Sequence, residues 1–246
     1  MQDGSASSKD NTPKETTESA RSLAPEDGAA KVRRKGAEPR IRDPERTRAK
    51  ILSAARDEFC GMGFNGARVD DIADRAKVNK RLLYHYFGNK EALYSAVLLD
   101  AYQEIRQGER ELSLSQRDPV EAIDQIVRFT FRHFLEKPWF IRILAVENLQ
   151  NARFVKQLKD INSINSPLVA ELERILASGE ELGVFRSGVD PLQLYISIAG
   201  LGYFYVSNMQ TLSVVFGRDL SRLSMIQERE AVAVAMVLDY LRAGRS

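Results

Sequence analysis

The stretch Ala67–Lys90, ARVDDIADRAKVNKRLLYHYFGNK, leaves this chain few folds to choose from. Within Val69–Ala76 the apolar residues Val69, Ile72, Ala73 and Ala76 recur three and four apart, the spacing of one helix face. Asn79 then offers its side-chain oxygen to the free backbone N–H of Arg81 or Leu82, which is the job of an N-cap. A second helix is expected over Lys80–Tyr86. Ala73 is small enough to let the two helices approach, and Val78 and Leu83 fill the space beneath them. Lys80, Arg81, Tyr84 and His85 are left on the outer face and N-terminal end. Two short helices around a tight turn, the second with cationic and hydrogen-bonding side chains outward, make a helix-turn-helix shaped for a major groove.

The same residues carry a resemblance. The run LLYHYFGNKEALY, preceded by VDDIADRAKVNK, resembles the DNA-binding domain of the TetR family of bacterial regulators over Arg46–Tyr94. Its aromatic residues, the break at Phe87 and the restart at Asn89-Lys90-Glu91 occur together and in order. The resemblance implies that Lys80, Tyr84, His85, Tyr86 and Lys90 contact DNA. Two positions depart from the family pattern. Arg68 stands where a Ser or Thr cap is usual, and Lys77 where the turn usually holds Gly. A left-handed Lys77 would cost about 1–2 kcal/mol. The candidate DNA-binding residues are therefore Arg68, Asn79, Lys80, Arg81, Leu82, Tyr84, His85, Tyr86 and Lys90. Lys80 and Arg81 can donate to guanine or phosphate, and Tyr84 can meet a thymine methyl or a phosphate. Leu82 is suited to an apolar base contact, while His85 and Tyr86 can fix position on backbone oxygens. Tyr86 and Phe87 read equally well as interhelix packing.

The rest of the chain supports an all-α protein. Its 246 residues are 43% hydrophobic and 28% charged, enough for a real core, and a net charge of only +2 means that any DNA affinity comes from local clustering. Residues 1–40 are polar and poor in large apolar side chains, the composition of a disordered tail. The basic run within Lys31–Lys50 is either a solvated tail or a DNA-contacting arm. Asp43-Pro44-Glu45 starts a helix with the stripe Ile51, Ala55 and Phe59, which Gly61 and Gly63 stop. Asn89 caps a fourth helix, which loses apolar character after Gln107. The domains are expected at 41–104 for DNA binding and 105–246 for ligand binding and dimerisation. Asp118-Pro119 and Pro138 open two further helices. Phe154–Ile161 and Leu168–Leu182 are expected as one broken or two separate helices around Ser166-Pro167. The Pro191–Asn208 run is apolar nearly all round, as a central or partner-facing helix is. Gly200 and Gly202 in it suit close helix approach. A last helix covers Gln227–Arg242. No stretch is long and apolar enough to span a bilayer and the N-terminus has no apolar signal core, so a cytoplasmic protein is expected. The single cysteine, Cys60, lies in an apolar run and reads as a buried inert thiol.

Three tasks follow. DNA reading belongs to the helix-turn-helix. One such unit makes few contacts, so a homodimer on a palindromic double-stranded operator is expected, paired through the last two helices as the family resemblance implies. A small-molecule effector is the third partner. Phe129, His133, Trp139, Arg142, Glu147 and Tyr203 are its candidate ligand-binding residues, since polar groups among aromatics line small-molecule pockets. The same stripe also reads as plain core. Arg142 and His133 are the expected pair for an anion, and a loose likeness to repressors of heterocycle or aromatic-acid catabolism points to an aromatic or heterocyclic effector. Neither cofactor nor metal is expected, and an enzyme is not: the two histidines are far apart, and there is no phosphate loop, zinc spacing or nucleophile elbow. The expected function is a sequence-specific transcriptional repressor released by its effector. An activator or effector-independent regulator of the same fold, and an architectural DNA-binding protein, are the alternatives.

Overall fold

Capping residues set out most of the helices. The computed structural model describes residues 43–159 and 161–242, and the tail expected over 1–40 lies outside them. The described residues form nine α-helices and no strand: α1 (Pro44–Gly66), α2 (Val69–Ala76), α3 (Lys80–Phe87), α4 (Lys90–Glu111), α5 (Pro119–Glu136), α6 (Pro138–Leu149), α7 (Ile161–Glu181), α8 (Pro191–Val215) and α9 (Leu223–Arg242). Asp43 accepts from the Arg46 N–H at 3.1 Å, Asn79 from Leu82 at 2.7 Å and Asn89 from Ala92 at 2.7 Å. Asp118 accepts from Val120 at 2.9 Å and Asp190 from Gln193 at 2.9 Å. Each satisfies donors that the first turn of a helix leaves free.

Three expectations need correction. Gly61 stays helical, and α1 breaks at Gly63 alone, whose φ of 66° is open to glycine. Val155–Gln157 is a 3-10 turn, so no helix spans Phe154–Ile161. α7 then runs unbroken through Pro167. Proline removes the N–H that would bond the Ser163 carbonyl, and the Ser166 hydroxyl donates to that carbonyl instead at 3.4 Å. α8 also continues past Asn208 to Val215, where Gly217 at φ 62° lets the chain turn.

The expected boundary at residue 104 falls inside α4. α4 passes through that position without a break, its first half in one core and its second half in another. The N-terminal core gathers Ile51, Phe59, Ile72, Leu83 and Leu93, and it also takes in Ile143 and Phe154 from beyond α5. Phe154 has no exposed surface and its ring lies 4.5 Å from Phe64 and 4.8 Å from Tyr94. The connection between α6 and α7 is thus plugged into the helix-turn-helix core. Asn151 and Ala152 make the bend that delivers it, at φ of 55° and 58°. In the other half, α5 is sandwiched by α7, α8 and α9. Gly202 of α8 backs onto the Phe131 and Phe134 side of α5, where a Cβ would stand 3.2 Å from the Phe134 ring, whereas Gly200 faces open space. Glu230 of α9 accepts from Arg128 at 3.0 Å and Arg132 at 2.6 Å, both on α5. No described helix is long and apolar enough to cross a membrane.

Candidate nucleic-acid interface

α2 and α3 meet at Lys77. Its φ and ψ of 57° and 44° put it in the left-handed region, the conformation for which the absent glycine is built, and its N–H reaches back to the Ala73 and Asp74 carbonyls. Arg68 gives α2 no side-chain cap. The buried Glu58 of α1 takes over that duty. Its Oε1 accepts the Arg68 N–H at 3.5 Å, and its Oε2 pairs with Arg75 at 3.4 Å, so one carboxylate holds both ends of α2 against α1. Nothing in the local sequence marks Glu58 out, because a lone glutamate in a charged helix reads as a solvated residue.

α3 is held from below and open above. Leu83 is fully buried and Phe87 nearly so, while Arg81, Tyr84 and His85 are exposed at the spacing of one outer face. Tyr86 is half-buried against the core, with its ring 5.8 Å from His85, and Leu82 is also half-buried. Lys90 Nζ sits 4.9 Å over the Phe64 ring at the start of α4. Lys80 is exposed but paired: its Nζ stands 2.9 Å from Asp70 at the start of α2, and that hydrogen bond raises the ammonium above its ordinary value. The pair bridges α2 and α3 across the turn. DNA that takes Lys80 must share or displace Asp70.

Of the six residues expected to bind a ligand, Phe129, His133, Trp139 and Tyr203 gather around Phe134 and Phe140. His133 is buried against Phe129, Phe134 and Phe140, and Tyr203 lies edge-on to Phe134 in the same cluster. Burial pushes His133 down to about 4, so it is neutral at pH 7 and offers an anion no charge. Arg142 is exposed on α6, where its charge acts on Cys60. Trp139 lies under the Arg56 guanidinium at 4.4 Å, and its carbonyl accepts from Cys60 at 3.3 Å. Burial also pushes the Cys60 thiol up to about 11. Glu147 is buried with its Oε1 bonded to the Phe154 and Val155 N–H groups at 2.6 and 2.9 Å. It positions the Phe154 plug. A polar residue among aromatics read as a pocket here because the sequence cannot show that its partner is backbone.

The last two helices present an unpartnered apolar face. Leu192, Ile196 and Phe204 on α8 and Val232, Met236 and Tyr240 on α9 are each between 42% and 60% exposed. Their spacings of four and eight place each set on one stripe. Among the described residues no group of side chains could hold a metal ion.

Residues 51–97 match the family described as bacterial regulatory proteins, tetR family, and residues 119–237 match the tetracyclin repressor-like C-terminal domain. The HTH-type transcriptional repressor NicS of Pseudomonas putida is 36% identical over 182 residues, covering 74% of this chain and 86% of that protein. The chain belongs to the TetR family. The regulator RutR of Escherichia coli is 30% identical over 173 residues, 69% of this chain and 78% of its own. Among solved structures, AibR in complex with isovaleryl coenzyme A and operator DNA superposes with a TM-score of 0.56 at 21% identity, over 78% of this chain and 97% of that one. That likeness is one of fold. This TetR-family chain is a DNA-binding transcriptional regulator and not an enzyme, built as a helix-turn-helix followed by a helical C-terminal domain.

Proposed function

We propose that this regulator is a cytoplasmic repressor that pairs through α8 and α9, reads a palindromic operator with its two α3 helices and leaves it when a small molecule binds the C-terminal half. Residues 41–104 do the reading, and 105–246 bind the effector and the partner copy. The observation that carries the reading is the exposed row Arg81, Tyr84 and His85, with Lys80 beside it, on a helix whose inner face is locked into the core. Arg68, Asn79, Leu82, Tyr86 and Lys90 surround that row. Asn79 acts through its cap on the α3 N-terminus, and a phosphate there meets free N–H groups as well as Lys80. The exposed stripes of α8 and α9 support self-association, since apolar faces of this kind on two neighbouring helices mark protein contacts. NicS, a transcriptional repressor, and AibR, which holds isovaleryl coenzyme A and operator DNA in one complex, support control of this kind. The loose likeness to repressors of aromatic-acid and heterocycle catabolism favours an effector of that class.

The test is operator binding at fixed salt, using the DNA upstream of the gene, with the double variant Lys80→Ala and Tyr84→Ala. Both side chains are exposed, so the variant keeps its helix content and its dimer while specific binding disappears. A variant that still binds with wild-type affinity removes α3 from the recognition role.

A further inference from the structure

The C-terminal turns of α4, the 3-10 turn Leu114–Gln116 and the first half of α7 enclose a cleft of about 280 Å³. None of the six residues expected to bind a ligand lines it. Leu114, Ile164 and Leu168 make an apolar wall, and Glu109 and Arg110 face them from α4. That volume suits a molecule of about ten non-hydrogen atoms, at the small end of ligand sites.

Glu109 is the unusual group. Its side chain is 4% exposed, yet neither carboxylate oxygen has a hydrogen-bond donor. Arg106 Nη1 lies 3.0 Å from Oε2, close enough for charge but not aligned for a hydrogen bond. Arg106 spends its Nη2 on the Tyr195 hydroxyl at 2.7 Å. Buried carboxylate oxygens in folded proteins nearly always have a donor. Glu109 lines the cleft, but its two unpartnered oxygens are turned away from open space, so a ligand's donor reaches them once the side chain swings outward from Arg106. The charge around the cleft supplies the other half of the specificity. Glu171 is paired with Arg174, and Glu109 is the near neighbour of Arg106. Arg110 is held by the neutral amide oxygen of Gln107, at 2.6 Å and 3.2 Å, and keeps an unbalanced positive charge at the rim. A cationic ligand meets three arginines here, whereas a carboxylate meets a guanidinium fork that fits it.

We propose that this cleft binds a small organic acid that also carries a hydroxyl or N–H donor, with its carboxylate on Arg110, its donor on Glu109 and its apolar body against Leu114, Ile164 and Leu168. The effect of that binding on the operator rests on the effector reading above.

Five probes test it on the full chain: 4-hydroxybenzoate, 3-hydroxybenzoate, benzoate, phenol and benzylamine, titrated to millimolar concentration while the leucine and isoleucine methyl signals are followed by NMR. The hydroxybenzoates are expected to shift the Leu114, Ile164 and Leu168 methyls and to bind about tenfold more tightly than benzoate or phenol, one hydrogen bond apart. Glu109→Met keeps the side-chain length without acceptors and brings hydroxybenzoate down to benzoate. Arg110→Gln, at an exposed position that does not endanger folding, weakens every acid and leaves phenol unchanged. No shift of these methyls by any probe, or tightest binding by benzylamine or phenol, overturns the proposal. The same probes are then added to the complex with upstream DNA. Release of DNA without the methyl shifts overturns the cleft and keeps the effector reading. Methyl shifts without release keep the cleft and overturn its regulatory role.

Discussion

Replacing Phe154 tests whether the C-terminal half is built into the DNA-binding core. The ring is fully buried and sits against Phe64 and Tyr94, with Glu147 holding its backbone. Phe154→Ala removes seven side-chain carbons' worth of packing less one, at a site walled by other rings that cannot collapse inward. Buried Phe→Ala changes cost about 3–5 kcal/mol, and paired aromatic rings put this site in the upper part of that range. Phe154→Leu keeps most of the volume and costs about 1–2 kcal/mol. Urea unfolding measures both at one fixed protein concentration, because association adds to the stability of a dimer. Trp139, the single tryptophan, reports the seam directly from its place under Arg56. Leu149→Ala, also near the end of α6 but 85% exposed, is the control and changes stability by less than about 0.5 kcal/mol. A loss below about 1 kcal/mol for Phe154→Ala would refute the view that this residue belongs to the helix-turn-helix core.

Lys77→Gly relieves a left-handed side chain and gives back part of that gain to the freer unfolded chain, so urea unfolding should show a net stabilisation of about 0.5–1 kcal/mol. Asp70→Asn frees Lys80 for phosphate, and filter binding should show about two- to fivefold tighter operator binding; weaker binding would mean that Asp70 positions Lys80 for the groove. Glu109 gives a pH signature. Burial raises its carboxyl from 4.5 to about 7, against the pull of Arg106 and Arg110 on its own helix, with Tyr195 of α8 bonded to Arg106 and the Arg174–Glu171 pair of α7 lining the cleft. A raised carboxyl contributes stability that is complete below the unfolded value and is lost as the pH climbs from 4.5 through 7. Thermal unfolding should therefore show a wild-type loss of up to about 3 kcal/mol across that window, which Glu109→Gln lacks.

The elements with local chemical causes were legible in the sequence. Asp43, Asn79, Asn89, Asp118 and Asp190 each cap the helix that follows them, because an N-cap needs only a short side chain and the next two or three N–H groups. The Val69, Ile72, Ala73 and Ala76 face is buried, and the cost of Lys77 was written in the residue that replaced glycine. What was not legible depends on partners far along the chain. Glu58 clamps α2 from α1 across the turn, and Glu147 bonds backbone that no side-chain pattern reveals. Gly108 in α4 carries no turn or break; a Cβ there would stand 2.5 Å from the Phe129 ring, so the glycine is a seat for a residue of α5. The ligand residues meet the same difficulty. Aromatic stripes at helical spacing identify buried faces, and whether a buried face closes on itself or around a cavity is decided by which helices cross there. His133 and Phe129 pack on Phe134 and Phe140, while one open cleft falls beside Arg106 and Glu109, two charged residues on a stretch of α4 that reads as solvated surface.

The position of that cleft suggests how its occupancy would reach the DNA-binding face. Its two walls are each anchored in the helix-turn-helix core. One wall is α4, whose Leu93 and Tyr94 are buried there, about 22 Å away along the helix from Glu109 at 1.5 Å per residue. The other wall is the start of α7, which follows directly on the connection that carries Phe154. Tyr94 and Phe154 touch at 4.8 Å, so the walls meet again at the far end. A ligand that widens the cleft has to move α4 and α7 apart, and a close-packed core does not absorb that by compression. The displacement is passed to the Tyr94–Phe154 contact and to α4, the helix that Asn89 joins to α3. Phe154→Leu loosens one of these two anchors and leaves the cleft untouched. It should bind the hydroxybenzoates as the wild type does, yet lose part of the ligand-induced fall in operator affinity. Such couplings are commonly worth about 1–3 kcal/mol, so even a partial loss is visible as a severalfold change in the operator titration. If Phe154→Leu keeps the whole ligand effect, the signal travels through α4 alone and the plug serves stability only.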